Sequence, residues 1–170
     1  ELLINDDDNS ASGNLKDIVE RSFGINHEKY KIIRDYSINS TIRNLKASSN
    51  LLNPEINYVY VYAPTYFSSL SENSFTNKYV VGIKHLVGFP KFSLKILESE
   101  MRIIERDYRN ELMREIKKIP TIILLDYSGE AKSHWFFDYS HFTEFAASKI
   151  SFKLSNQLLQ IKNKNKFFIK

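Results

Sequence analysis

The sequence predicts an α/β fold, a three-layer α/β/α sandwich around a mainly parallel sheet, on three observations. Two short apolar runs, "YVYVY" at 58–62 and "TIILL" at 121–125, have the β-branched and aromatic content of buried strands. A long amphipathic segment lies between them, so strand, crossover helix and strand make a βαβ unit whose strands run parallel with a right-handed connection. A last helical pattern follows the second strand and supplies a helix to pack back on the sheet.

Taken in chain order, "ELLIN" reads as the tail of a buried strand that begins upstream, and the fold is therefore expected to be N-terminally incomplete. The acidic stretch "DDDNSASGN" follows; Asp6, Asp7 and Asp8 read as a solvated loop, because nothing else of a calcium loop stands at the required offsets. "LKDIVERSF" has the apolar spacing of a short helix. A second helix is expected from Asn39 to Leu52, where Ile42, Leu45 and Leu52 recur at near-helical intervals before Pro54 stops it. The first strand, Tyr58 to Tyr62, ends at Pro64 and is expected to be covered on both faces. Residues 65–90, punctuated by Gly82, Gly88 and Pro90, form a polar stretch long enough for a functional loop or lid.

The crossover helix is expected from Phe92 to Lys118. Leu97, Met101, Ile104, Tyr108, Leu112 and Ile116 step by threes and fours along one face, with Glu105, Arg109, Glu111 and Arg114 placed off it. Pro120 ends it and opens the second strand, Thr121 to about Leu125. The last helix, from about Phe142, aligns Phe142, Ala146, Ile150, Leu154 and Leu158.

The composition sets outer bounds. At 170 residues with 42% hydrophobic and 26% charged side chains, the chain fits one globular domain, assigned to residues 1–161, and a basic tail at 162–170. The absence of cysteine excludes a disulfide, a thiolate metal site and a cysteine nucleophile, and leaves the compartment open. No apolar run approaches the ~20 residues of a membrane span. In the tail, Lys162, Lys164, Lys166 and Lys170 meet no acid. Solvent exposure is the plain reading; contact with an anionic surface is the functional one, and nucleic-acid binding ranks last. No H-E-x-x-H or related spacing occurs, so no metal or cofactor is expected.

Ligands of parallel α/β sheets bind at the carboxyl ends of the strands. The first strand delivers Thr65 and Tyr66 there; the second delivers Asp126, Tyr127 and Ser128, and its loop runs through Trp135 to Asp138 and His141. With Asp138 ahead of the last helix and His141 in its first turn, the carboxylate can accept the Nδ1 hydrogen and leave Nε2 free as a general base. The alternative is structural: Asp138 or Ser140 caps the helix, and the histidine is incidental. A bare D-x-x-H does not decide between them.

The succession "YVYVYAP", long helix, "TIILLDYSG" and "FFDYSHFTEFAASKISFKLSNQL" resembles the C-terminal portion of the SGNH (GDSL-like) hydrolase superfamily, over roughly Asn39 to Leu159. The resemblance implies a flavodoxin-like sheet and a serine esterase or O-acyltransferase acting on an ester-bearing small molecule or carbohydrate. It favours the cell envelope. It makes His141 the general base, Asp138 its orienting acid and, from "LIND", Asn5 an oxyanion donor; Thr65, Tyr66 and Trp135 are then expected to line the acyl or sugar pocket. No Gly-Asp-Ser occurs in the chain, so the nucleophile is expected upstream of Glu1. The rival reading is a non-catalytic α/β binding or interaction domain.

Overall fold

In the computed structural model, residues 14–51, 58–70, 96–130, 132–137 and 141–166 are described. They form a mixed α/β arrangement, mostly helical, around a parallel pair of strands.

Helix α1, Leu15–Phe23, starts where Asn14 turns extended and its Oδ1 accepts the Asp17 amide at 3.1 Å. It stops at Gly24, which takes the left-handed conformation (φ 64°) and donates its amide to the Glu20 carbonyl. Helix α2, His27–Leu51, begins at once, with Asn26 Oδ1 accepting the Lys29 amide at 2.8 Å. It is twelve residues longer at its start than its apolar spacing predicts. Its buried residues, Ile38 and Leu45, stand seven apart, whereas Ile32, Ile33 and Tyr36 face solvent and obscure the helical period.

Strand β1, Tyr58–Tyr62, pairs with β2, Ile122–Asp126, in parallel and without a bulge, from Tyr58 opposite Ile122 to Tyr62 opposite Asp126. The crossover helix α3, Glu98–Ile116, lies between them in sequence. Leu97 is extended, and Glu100 reaches back to accept its amide at 2.8 Å, which fixes the first turn. The expected βαβ unit is therefore present. Both strands are half-buried along most of their length rather than sealed.

One core joins α2 and α3 to the sheet through Ile38, Leu45, Leu112, Ile116, Ile119 and Ile122, with Tyr58, Tyr60, Tyr62 and Leu124 packed against it. The alternate residues of β1 thus present one row of rings to the helices, as the two-residue period of a strand dictates. A second core gathers Ile18 of α1, Ile104 of α3, Ile96 and Phe67. Polar ties reinforce the helix packing: Asp107 on α3 accepts from the Tyr30 hydroxyl at 3.0 Å and from Arg34 at 2.8 Å, both on α2.

The last helix, α4, is Glu144–Lys166. Its cap is Thr143, whose Oγ1 accepts the Ala146 amide at 3.3 Å, so neither Asp138 nor Ser140 fills that position. His141 precedes the cap instead of lying in the first turn. Phe142, expected inside the helix, forms an isolated antiparallel bridge with Phe136.

Candidate active site at the strand ends

Chain leaving β1 passes the buried Pro64 and enters a single 3-10 turn, Phe67–Ser69. Thr65 and Ser68 brace this corner reciprocally. The Thr65 amide donates to Ser68 Oγ at 2.8 Å, the Ser68 amide donates to Thr65 Oγ1 at 3.1 Å, and Ser68 Oγ donates to the Thr65 carbonyl at 2.8 Å. Tyr66 is held at its far end, where its hydroxyl donates to Glu98 Oε2 at 3.2 Å.

Beyond β2, Asp126 Oδ1 accepts the Ser128 amide at 2.9 Å and turns the chain. Tyr127 is buried, its hydroxyl bonded to Gln157 of α4, and Lys153 of α4 pairs with Glu130. A second 3-10 turn, Ser133–Trp135, leads into the bridge between Phe136 and Phe142. Two backbone bonds close this corner: the Phe137 amide donates to the His141 carbonyl at 2.9 Å, and the Thr143 amide donates to the Trp135 carbonyl at 2.8 Å.

The two corners meet. The ring of Tyr66 stands edge-on to that of Phe136, centroids 6.2 Å apart. Tyr66, which follows Thr65, therefore meets Phe136 and, through the bond of Phe137 to the His141 carbonyl, the start of the last arm, at the carboxyl edge of the parallel pair. The ring of Trp135 lies against Phe145 of α4, centroids 6.2 Å apart, while its neighbour Phe136 meets Tyr66. His141 is exposed. Asp138 and Asn5, the expected orienting acid and oxyanion donor, lie outside the described residues.

Sequence reasoning missed Glu105. Placed off the apolar face by its charge, it turns inward, where one oxygen accepts from the Tyr62 hydroxyl at 3.1 Å. Its Oε2 is buried without a hydrogen-bond partner. Burial pushes the carboxyl above its ordinary range, opposed by the charge of Arg109 and the Tyr62 bond and reinforced by the charge of Asp126. Burial first and the Glu105 charge second push the Tyr62 phenol up in turn. The signal was present: Glu105 stands four residues after Met101, three before Tyr108 and seven before Leu112, squarely in the apolar register. A partly desolvated carboxyl thus ties the crossover helix to the end of β1 through Tyr62.

No family model, curated protein or solved structure matches this chain.

Proposed function

We propose that the chain carries the base-bearing part of an SGNH-type serine esterase or O-acyltransferase, acting on ester-linked acyl groups such as those of cell-surface carbohydrate. In this reading the parallel pair belongs to a flavodoxin-like sheet within a three-layer sandwich. The observation that carries the proposal is the contact of Tyr66 with Phe136, which joins the two strand-end loops into one edge with His141 on it. A second support is the cap of α4: Thr143 fills it, which removes the structural role first open to Asp138.

The chemistry follows from the side chains. Asp138 accepts the Nδ1 hydrogen of His141, so Nε2 takes the proton of a serine hydroxyl as its oxygen attacks the ester carbonyl. The carbonyl electrons move to oxygen, and the Asn5 amide donates to that oxyanion. Collapse of the tetrahedral species expels the alcohol, which leaves with the proton held on His141. Water or a sugar hydroxyl then attacks the acyl-enzyme by the same route in reverse. The chain contains no Gly-Asp-Ser, so the serine comes from outside these 170 residues.

The dyad is tested by the imidazole nitrogens of His141 in long-range proton–nitrogen NMR spectra of the chain. The expected result is the Nδ1–H tautomer, reverting to Nε2–H in Asp138→Asn. Nε2–H in both proteins would sink the reading. In the natural gene product, His141→Ala is expected to lower p-nitrophenyl acetate hydrolysis by about 10²–10⁴-fold, the usual contribution of a general base. A binding domain has no such turnover to lose.

A further inference from the structure

Helix α4 carries two apolar stripes. The first, through Ala146, Ile150 and Leu154, is buried or half-buried. The second faces solvent: Phe145, Phe152 and Leu159 recur every seven residues, close to two full turns, and are 58%, 71% and 57% exposed. This line of apolar side chains runs for about 21 Å at the rise of an α-helix. Leaving such side chains in water is unfavourable, so a line of them recurring along one face marks a surface that something covers.

Charge identifies what covers it. From Phe145 to Lys170 the sequence holds six lysines and no acidic residue. Two of these lysines flank the outer stripe: Lys149, whose ammonium lies 5.5 Å from the Phe145 ring centroid, and Lys162, exposed a turn past Leu159. Lys153 is paired with Glu130 and turned towards the Tyr127 ring, and so belongs to the inner side. An apolar line bordered by lysines that meet no carboxylate among the described residues is the pattern of a helix lying in the plane of a bilayer, rings at the acyl boundary and ammonium groups among anionic headgroups. A nucleic-acid backbone would use the lysines and leave the rings exposed, and a second copy of the same face would set lysine against lysine. Among the described residues no helix is long and apolar enough to cross a membrane, so the geometry required is surface contact.

We infer that the outer face of α4 docks on an anionic lipid bilayer. Because Trp135 packs edge-on against Phe145, docking sets the loop after β2 beside the headgroups. The inference does not depend on the proposed chemistry at the strand ends.

Co-sedimentation of the 170-residue chain with vesicles of phosphatidylcholine, with and without phosphatidylserine, tests it. Binding is expected on the phosphatidylserine vesicles, weakening as salt is raised. Phe152→Ser with Leu159→Ser is expected to lower it about tenfold, with helix content and melting unchanged because both side chains are exposed. Lys149→Gln with Lys162→Gln should weaken binding to phosphatidylserine alone. Three results overturn the inference: no binding to either vesicle, binding indifferent to the Phe152/Leu159 pair, or tighter binding to duplex DNA than to vesicles. Self-association that the same apolar substitutions abolish, without vesicle binding, would assign the face to a second copy instead.

Discussion

In the crossover unit the large aliphatic side chains are hidden. Ile38 and Leu45 of α2, Leu112 and Ile116 of α3, and Ile122 of β2 close on one another, with the tyrosines of β1 laid over them. In the C-terminal arm, residues 132–166, several rings stand outside: Phe137, Phe145 and Phe152 are exposed while Trp135, Phe136 and Phe142 are half-buried, and among its described residues Ala146 is the one that is fully covered. The two regions use similar proportions of apolar residues for opposite purposes. Burial in the first supplies the free energy of folding, while exposure in the second opposes it and is explained by a surface that acts on something else.

The sharpest way to break this contrast is to truncate one residue from each region. Leu112→Ala, at a site 2% exposed, is expected to cost about 2–5 kcal/mol of stability, through lost burial and the cavity left between α2, α3 and β2. Phe152→Ala, in an urea melt run alongside, should stay within about 0.5 kcal/mol of the parent, as substitutions of exposed residues do. Comparable losses at the two sites would mean that the arm is part of the load the core carries.

A smaller effect tests whether polar ties matter within the packed unit. Asp107→Ala leaves the Tyr30 hydroxyl without its acceptor and deprives the Arg34 guanidinium, 14% exposed, of one of its two carboxylates. The expected cost is about 1–3 kcal/mol, the penalty for part-buried groups whose partner is removed. A cost near zero would show that α2 and α3 are held by Ile38, Leu45 and Leu112 alone.

The same contrast explains what could be read in the chain beforehand. β1, β2 and the crossover helix were legible because their apolar residues are inside, so the pattern that folding needs is the pattern printed in the sequence. α2 was legible only in its second half, since Ile32, Ile33 and Tyr36 are apolar yet exposed and break the period on which the reading depends. The expected start of α4 at Phe142 failed for a related reason. Phe142 is apolar because it bridges to Phe136, and the helix waits for the hydroxyl of Thr143. At the strand ends, topology named Thr65, Tyr66 and His141 as candidates, whereas the inward turn of Glu105 was missed because charge was taken to mean solvent.

Glu105 joins α3 to the end of β1 within the crossover unit, and its titration gives the most discriminating prediction. Burial raises the folded-state carboxyl above its ordinary value, so over the interval between the unfolded and folded values the native state binds more protons than the unfolded chain. Its contribution to stability is therefore complete below about pH 4.5 and is lost as pH rises through the folded value. Glu105→Gln keeps an acceptor for Tyr62 and removes the titration. The stability of the variant minus that of the parent is then expected to climb as pH rises from the acid side towards neutrality. Tyr62→Phe should steepen the parent's own fall, because it deletes a bond that favours the ionised carboxylate. Paired denaturant titrations across that range measure both differences. Trp135, the single tryptophan, reports in the same experiment whether the corner beyond β2 responds. A difference between Glu105→Gln and parent that stays flat with pH would mean that the carboxylate is hydrated at neutral pH. The end of β1 would then be tied to α3 by packing of Tyr62 alone.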